Sequence, residues 1–200
     1  MAYNKFTIEK LQDEFGIKIR TVESLFTDKI VPLKASSLLQ ETLKENVPLA
    51  LAVNTEKARS EFVVAPLLVE LRRQLKTISL FSGTELNVDK LRGLNGHCDF
   101  IISLDEEQFL LTAPLITLVE AKKDNVTNGI PQCIAEMIGV QLFNQQKNKK
   151  IERIYGVITT GSNWKFLSLE GQTVHIQSGE FYIDDVESIL GILAKMIETK

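Results

Sequence analysis

The sequence predicts an α/β protein with a mixed central β-sheet flanked by helices. Three observations lead there. Short apolar runs rich in β-branched residues, such as Phe100-Ile101-Ile102 and Leu115-Ile116-Thr117-Leu118-Val119, read as buried strands. Longer stretches carry their apolar residues at helical spacing, notably 131–146 and 184–197. The resulting order is helix, strands, helix, strands, helix, which suits a sheet with helices packed on it. The chain has 200 residues, 44% hydrophobic and 24% charged, so it can bury a sizeable core as a single domain over 1–200.

Taken in order, Ile8, Leu11 and Phe15 predict a short helix over 7–15. Ser37-Leu38-Leu39-Gln40 has a capping-box pattern, so a helix is expected from there to about Asn46, where Pro48 should stop it. Residues 1–50 hold no chemical motif and read as an N-terminal helical addition covering part of the core. Asn54 or Thr55 can cap a stronger helix that reaches about Lys76 and should bend at Pro66. Strands are expected at Ile78–Phe81, His97–Leu104, Phe109–Thr112 and Leu115–Lys122, with a turn at Asp105-Glu106-Glu107. A helix over about 131–146 follows, with Pro131 at a favourable first position and Ile134, Ile138 and Leu142 as its stripe. Gln132 and Glu136 share another of its faces. Then come a strand over 153–160, a hairpin around Gly171, and a C-terminal helix over 184–198.

The bulk numbers exclude several classes. A net charge of -3 gives no overall attraction to nucleic acid, so such binding needs a local basic patch. The two cysteines, Cys98 and Cys133, form neither a metal-ligand spacing nor a disulfide framework, which suits a reducing cytoplasm. The N-terminus lacks a signal-like apolar core, and no run approaches the ~20 apolar residues that span a bilayer, so no membrane partner is expected. There is no phosphate-binding Gly-Lys-Ser/Thr loop and no Gly-x-Ser-x-Gly elbow.

What remains is a set of charged residues at the ends of apolar runs. Asp99 precedes Phe100-Ile101-Ile102, and Glu120-Ala121-Lys122 closes the next long run. Residues two apart on a strand share a face, so Glu120 and Lys122 point the same way. The stretch between Asp99 and Glu120 leaves room for a hairpin that makes their strands neighbours. Two carboxylates and a lysine at one spot can hold a divalent cation and orient a water. Each has a plainer reading: a strand-end aspartate bonded to backbone amides, and a solvated strand end or a simple ion pair. Glu61 shares a helical face with Ala58, Ala65 and Leu68, so it reads as inward-facing, or else as an ordinary surface acid. Gln132 can orient a phosphate, a water or a lysine, or be an exposed amide. Lys123, Lys147, Lys149, Lys150 and Lys165 are candidate nucleic-acid contacts, and a solvated charge run explains them equally well.

In their order, Glu61, Asp99, Glu120-x-Lys122 and Gln132 resemble the PD-(D/E)XK nuclease superfamily. The likeness covers about residues 55–177. It implies a restriction-endonuclease-like core and a Mg²⁺-dependent nuclease acting on DNA, with Mn²⁺ as a substitute ion. Asp99, Glu120 and the backbone carbonyl of Ala121 would hold the metal, with Glu61 as a further ligand. Lys122 would position or deprotonate the attacking water, and Gln132 would assist. The family also admits homodimers. Cys98 stands where the motif's name has proline, and Glu136 stands where one subgroup often carries an aromatic. The alternative is a catalytically inactive nucleic-acid-binding or assembly module of the same fold.

Overall fold

The computed structural model describes residues 2–198. It is a mixed α/β protein whose central sheet is flanked by helices. Among the described residues the strands are β1 (Lys18–Val22), β2 (Ser79–Glu85), β3 (His97–Ser103), β4 (Leu115–Ala121), β5 (Arg153–Thr159), β6 (Asn163–Glu170), β7 (Thr173–Gln177) and β8 (Phe181–Tyr182). They form one sheet in the order β1-β7-β6-β5-β4-β3-β2, with β8 added to β6. The β1/β7 and β4/β5 pairs are parallel and the others antiparallel.

The parallel β4/β5 pair requires a crossover, and helix α5 supplies it. The helices are α1 (Ile8–Phe15), α2 (Ser37–Val53), α3 (Glu56–Arg59), α4 (Ala65–Leu75), α5 (Ile130–Gln146) and α6 (Val186–Glu198). Residues from α2, α4 and α6 pack into one core with Phe100, Ile102, Val119 and Val157 of the sheet. Residues from α1 and α5, with Tyr3, pack into the other with Ile101, Ile154, Ile158 and Leu167. Both faces of the central strands are thus covered, which explains their continuous apolar character.

Several expectations are corrected. Pro48 does not stop α2, which runs on to Val53. Pro48 and Lys44 are both exposed, so the Lys44 carbonyl that loses its helical donor faces water, while Leu39, Leu43 and Ala50 anchor the helix in the core. The cap is Ser36, whose hydroxyl accepts from the Leu39 N–H. Phe109–Thr112 is not a strand. Phe109 is 96% exposed, and the Gln108 amide, not a backbone ladder, pairs with both backbone groups of Leu80 on the sheet edge. The N-terminal addition is not all helix, since β1 extends the sheet beside β7.

The helix expected from Thr55 to Lys76 is interrupted. After α3, capped by the Thr55 hydroxyl, residues Ser60–Val64 form a π-helical turn, and α4 begins with Pro66 in its first turn. Pro66 leaves this turn one donor short, because it has no N–H for the Phe62 carbonyl. Asn46 of α2 supports it by donating to the Phe62 carbonyl at 2.9 Å.

Candidate functional site

Asp99 sits where the sheet changes. Cys98 packs with Ile101 in one core, whereas Phe100 and Ile102 lie in the other. Strict alternation would put Cys98 with Phe100, so the facing of β3 switches at Asp99. The paired register of β3 with β4 ends at Phe100↔Val119. One residue further on, the Asp99 carboxylate takes over as acceptor, with Oδ2 receiving the Ala121 N–H at 2.8 Å. On the other side lies β2, paired at Ser82↔Phe100 and Thr84↔Cys98. Gly83, between these pairs, has φ +62°, a conformation that favours glycine, and no atom stands within 4 Å of where its Cβ would be. Ser82, Gly83 and Asp99 form one wall of a cleft of about 480 Å³. Glu56, Lys57, Ser60 and Glu61 form the other.

Behind Asp99 lies a connected polar network. Lys122 Nζ donates to Glu120 Oε1 at 2.6 Å and to Gln132 Oε1 at 3.1 Å. Gln132 Nε2 donates to Glu120 Oε1 at 2.6 Å and to Glu136 Oε1 at 3.0 Å. Local structure sets each position. Lys122 follows the last residue of β4, and its N–H is held by the Thr159 carbonyl of β5 at 2.7 Å. Gln132 lies in the first turn of α5. Gly129, just before α5, lets the Lys122 stem pass: a Cβ there would come within 2.7 Å of Ile158 and 3.2 Å of the Lys122 chain.

The second oxygens of Glu120 and Glu136, both buried, have no hydrogen-bond partner. Burial pushes the Glu120 carboxyl up to about 7, with Asp99 adding to the effect and Lys122 opposing it. Burial also raises Asp99 above the usual aspartate range, against the Ala121 N–H and the Lys122 charge. Glu136 is pushed well above the carboxylate range by burial and then by Glu120. For Lys122 burial acts downward, but Glu120 together with Glu56 and Asp99 outweighs it and the amine ends above its ordinary value. Lys122 is therefore an ammonium at neutral pH.

The structure brings Asp99, Glu120, Ala121, Lys122 and Gln132 together. Glu61 is not inward-facing: its side chain is 56% exposed and pairs with Lys57 at 3.6 Å. The π-helical turn changes the helical register at Glu61 and turns it to the cleft rim. Two acids were not singled out as site residues by the sequence. Glu56 lies on the cleft wall and acts electrostatically on both Glu120 and Lys122. Glu136 joins the network through Gln132. Its signal was in the sequence, as an acid one turn past Gln132 inside Cys133-Ile134-Ala135-Glu136-Met137-Ile138.

The basic candidates are dispersed. Lys123 is exposed beside Lys122. Lys147, Lys149 and Lys150 are exposed beyond the far end of α5, about 22 Å along that helix from Gln132. Lys165 Nζ donates to the Ser178 carbonyl at 2.8 Å and the Gly179 carbonyl at 3.4 Å. A larger hollow of about 600 Å³ lies elsewhere, beside Ser36 and Glu70. Its buried acid, Glu70, is bonded by Ser36, Arg73 and Gln74, so it serves as a structural junction.

No model of a known protein family matches this sequence, and neither a curated protein nor a solved structure matches it.

Among the described residues, no three His, Cys, Asp or Glu side chains stand arranged to hold a metal ion. A pair of acids does fit one. Mg²⁺ commonly takes one or two carboxylates and fills its remaining positions with waters and phosphate oxygens. Asp99 and Glu120 supply that pair, and Glu120 Oε2 is a buried oxygen still lacking a partner. No described helix is long and apolar enough to cross a membrane.

Proposed function

We propose that this protein is a Mg²⁺-dependent nuclease that hydrolyses phosphodiester bonds in DNA. The observation that carries this reading is the Asp99, Glu120, Lys122 and Gln132 group, held behind an open cleft with a buried carboxylate oxygen unpartnered. Asp99, Glu120 and the Ala121 carbonyl would hold the ion, which supplies charge relief on the phosphate oxygens. The chain's own residues do the rest. The Lys122 ammonium, fixed by Glu120 and Gln132, orients the attacking water and neutralises charge developing on the phosphate. Gln132 keeps the ammonium and the carboxylate in one geometry. The buried free thiols of Cys98 and Cys133 suit a cytoplasmic, reducing setting.

The test is cleavage of single-stranded, double-stranded and plasmid DNA with Mg²⁺ or Mn²⁺. Lys122→Ala and Asp99→Asn should each lower cleavage by about 10²-fold or more, while the near-UV circular dichroism spectrum stays that of a folded protein. Cleavage that survives Lys122→Ala overturns the assignment.

A second reading is a non-catalytic nucleic-acid-binding or assembly module of the same fold. The acids Glu56 and Glu61 on the cleft wall favour a non-catalytic role, because they repel a phosphate entering the cleft. DNA binding without cleavage, across varied substrates and both metals, would select it.

A further inference from the structure

Glu136 is completely buried on α5, one turn beyond Gln132. An acid in that position is costly unless the structure uses it. The chemistry proposed above gives it no part, yet it touches the group that matters. Its Oε1 accepts from Gln132 Nε2 at 3.0 Å, and the same nitrogen donates to Glu120 Oε1 at 2.6 Å. The other end of the amide, Gln132 Oε1, accepts from Lys122 Nζ at 3.1 Å.

An amide side chain is directional. Turned over, Gln132 would aim its NH₂ at an ammonium and its carbonyl at the Glu120 oxygen that already accepts from Lys122, and both contacts would be lost. Glu120 Oε1 is already shared between Lys122 and Gln132. If Glu120 engages a cation, its hold on Gln132 weakens, and Glu136 is the remaining anchor at the NH₂ end. We propose that Glu136 is a positioning residue: it fixes the Gln132 amide from behind, so that the Gln132 carbonyl stays on the Lys122 ammonium throughout the reaction. The catalytic consequence rests on the nuclease reading. The anchoring itself does not.

The experiment uses the full-length chain. In the wild type without metal, both Nε2 protons of Gln132 should exchange slowly with solvent in ¹⁵N NMR. Exchange of both at the rate of a free amide overturns the proposal, and this measurement needs no variant. In Glu136→Met, checked for folding by near-UV circular dichroism, one of the two should lose its protection. With Mg²⁺ and DNA, kcat should fall by about 10–100-fold while KM stays within about threefold. Glu136→Gln retains an acceptor and should restore both the protection and kcat. In a Gln132→Ala background, Glu136→Met should cost no further activity, because nothing is left to position. A Glu136→Met protein with wild-type Gln132 protection and kcat overturns the role, as does a folded Glu136→Gln protein as defective as Glu136→Met. If the wild type cleaves no DNA, the nuclease reading is what fails, and the exchange data still decide whether Glu136 anchors Gln132.

Discussion

At Glu120, burial and charge pull in opposite directions. Its carboxyl titrates at about 7 in the folded protein against an ordinary 4.5, so the folded state holds the proton more tightly than the unfolded chain. For a raised value the sign is fixed. The contribution to stability is complete below about 4.5 and is lost as pH rises through about 7. Glu120→Gln removes that titration. It should raise the melting temperature over wild type by about 5 °C at pH 8, with little effect at pH 5. Thermal melts at the two pH values check this, and an equal shift at both would contradict it. Asp99, Glu120, Lys122 and Gln132 were legible in the sequence because charge at the end of an apolar strand is conspicuous. Strict helical periodicity leaves Glu61 either inward-facing or on the surface, and the π-helical turn sets it on the exposed rim of the cleft that Asp99 also lines. Glu56 gives no signal in the sequence, because a single exposed acid at a helix start has an ordinary explanation as a complement to the helix dipole.

The elements themselves were mostly readable, and the departures share a cause. At Pro48, Phe109 and Glu61 tertiary contacts or solvent override the local rule. Pro48 faces water, Gln108 satisfies the sheet edge that a Phe109 strand was expected to pair, and Asn46 props the turn holding Glu61. The junction of β4 and α5 shows how closely two elements can be fitted around one side chain. Lys122 passes over Gly129, where a methyl group would meet Ile158 and the lysine stem at once. Gly129→Ala should therefore destabilise the protein by about 1–3 kcal/mol and displace the Lys122 ammonium. Denaturant unfolding measures the first effect and a parallel fall in cleavage the second. A variant with wild-type stability and cleavage would mean that the junction yields freely.

On the scale of the whole molecule, the likeness that suggested a nuclease covers only part of what builds the core. Leu11 and Phe15 of α1, Leu39 and Leu43 of α2, and Ile189, Leu190 and Leu193 of α6 all lie outside residues 55–177 and are all buried. A fragment of 55–177 should fail to fold, giving a circular dichroism spectrum without a cooperative melt. A fragment that melts cooperatively would show that the flanking elements are accessories. One feature of the sheet bears on how variants of this protein are to be interpreted. The strand ladder gives way at Asp99, where a carboxylate stands in for a backbone acceptor. That acid therefore has two jobs, and an alanine scan would conflate them: the inactive allele it produced would also carry an orphaned amide, whereas asparagine removes the charge and leaves the strand its acceptor.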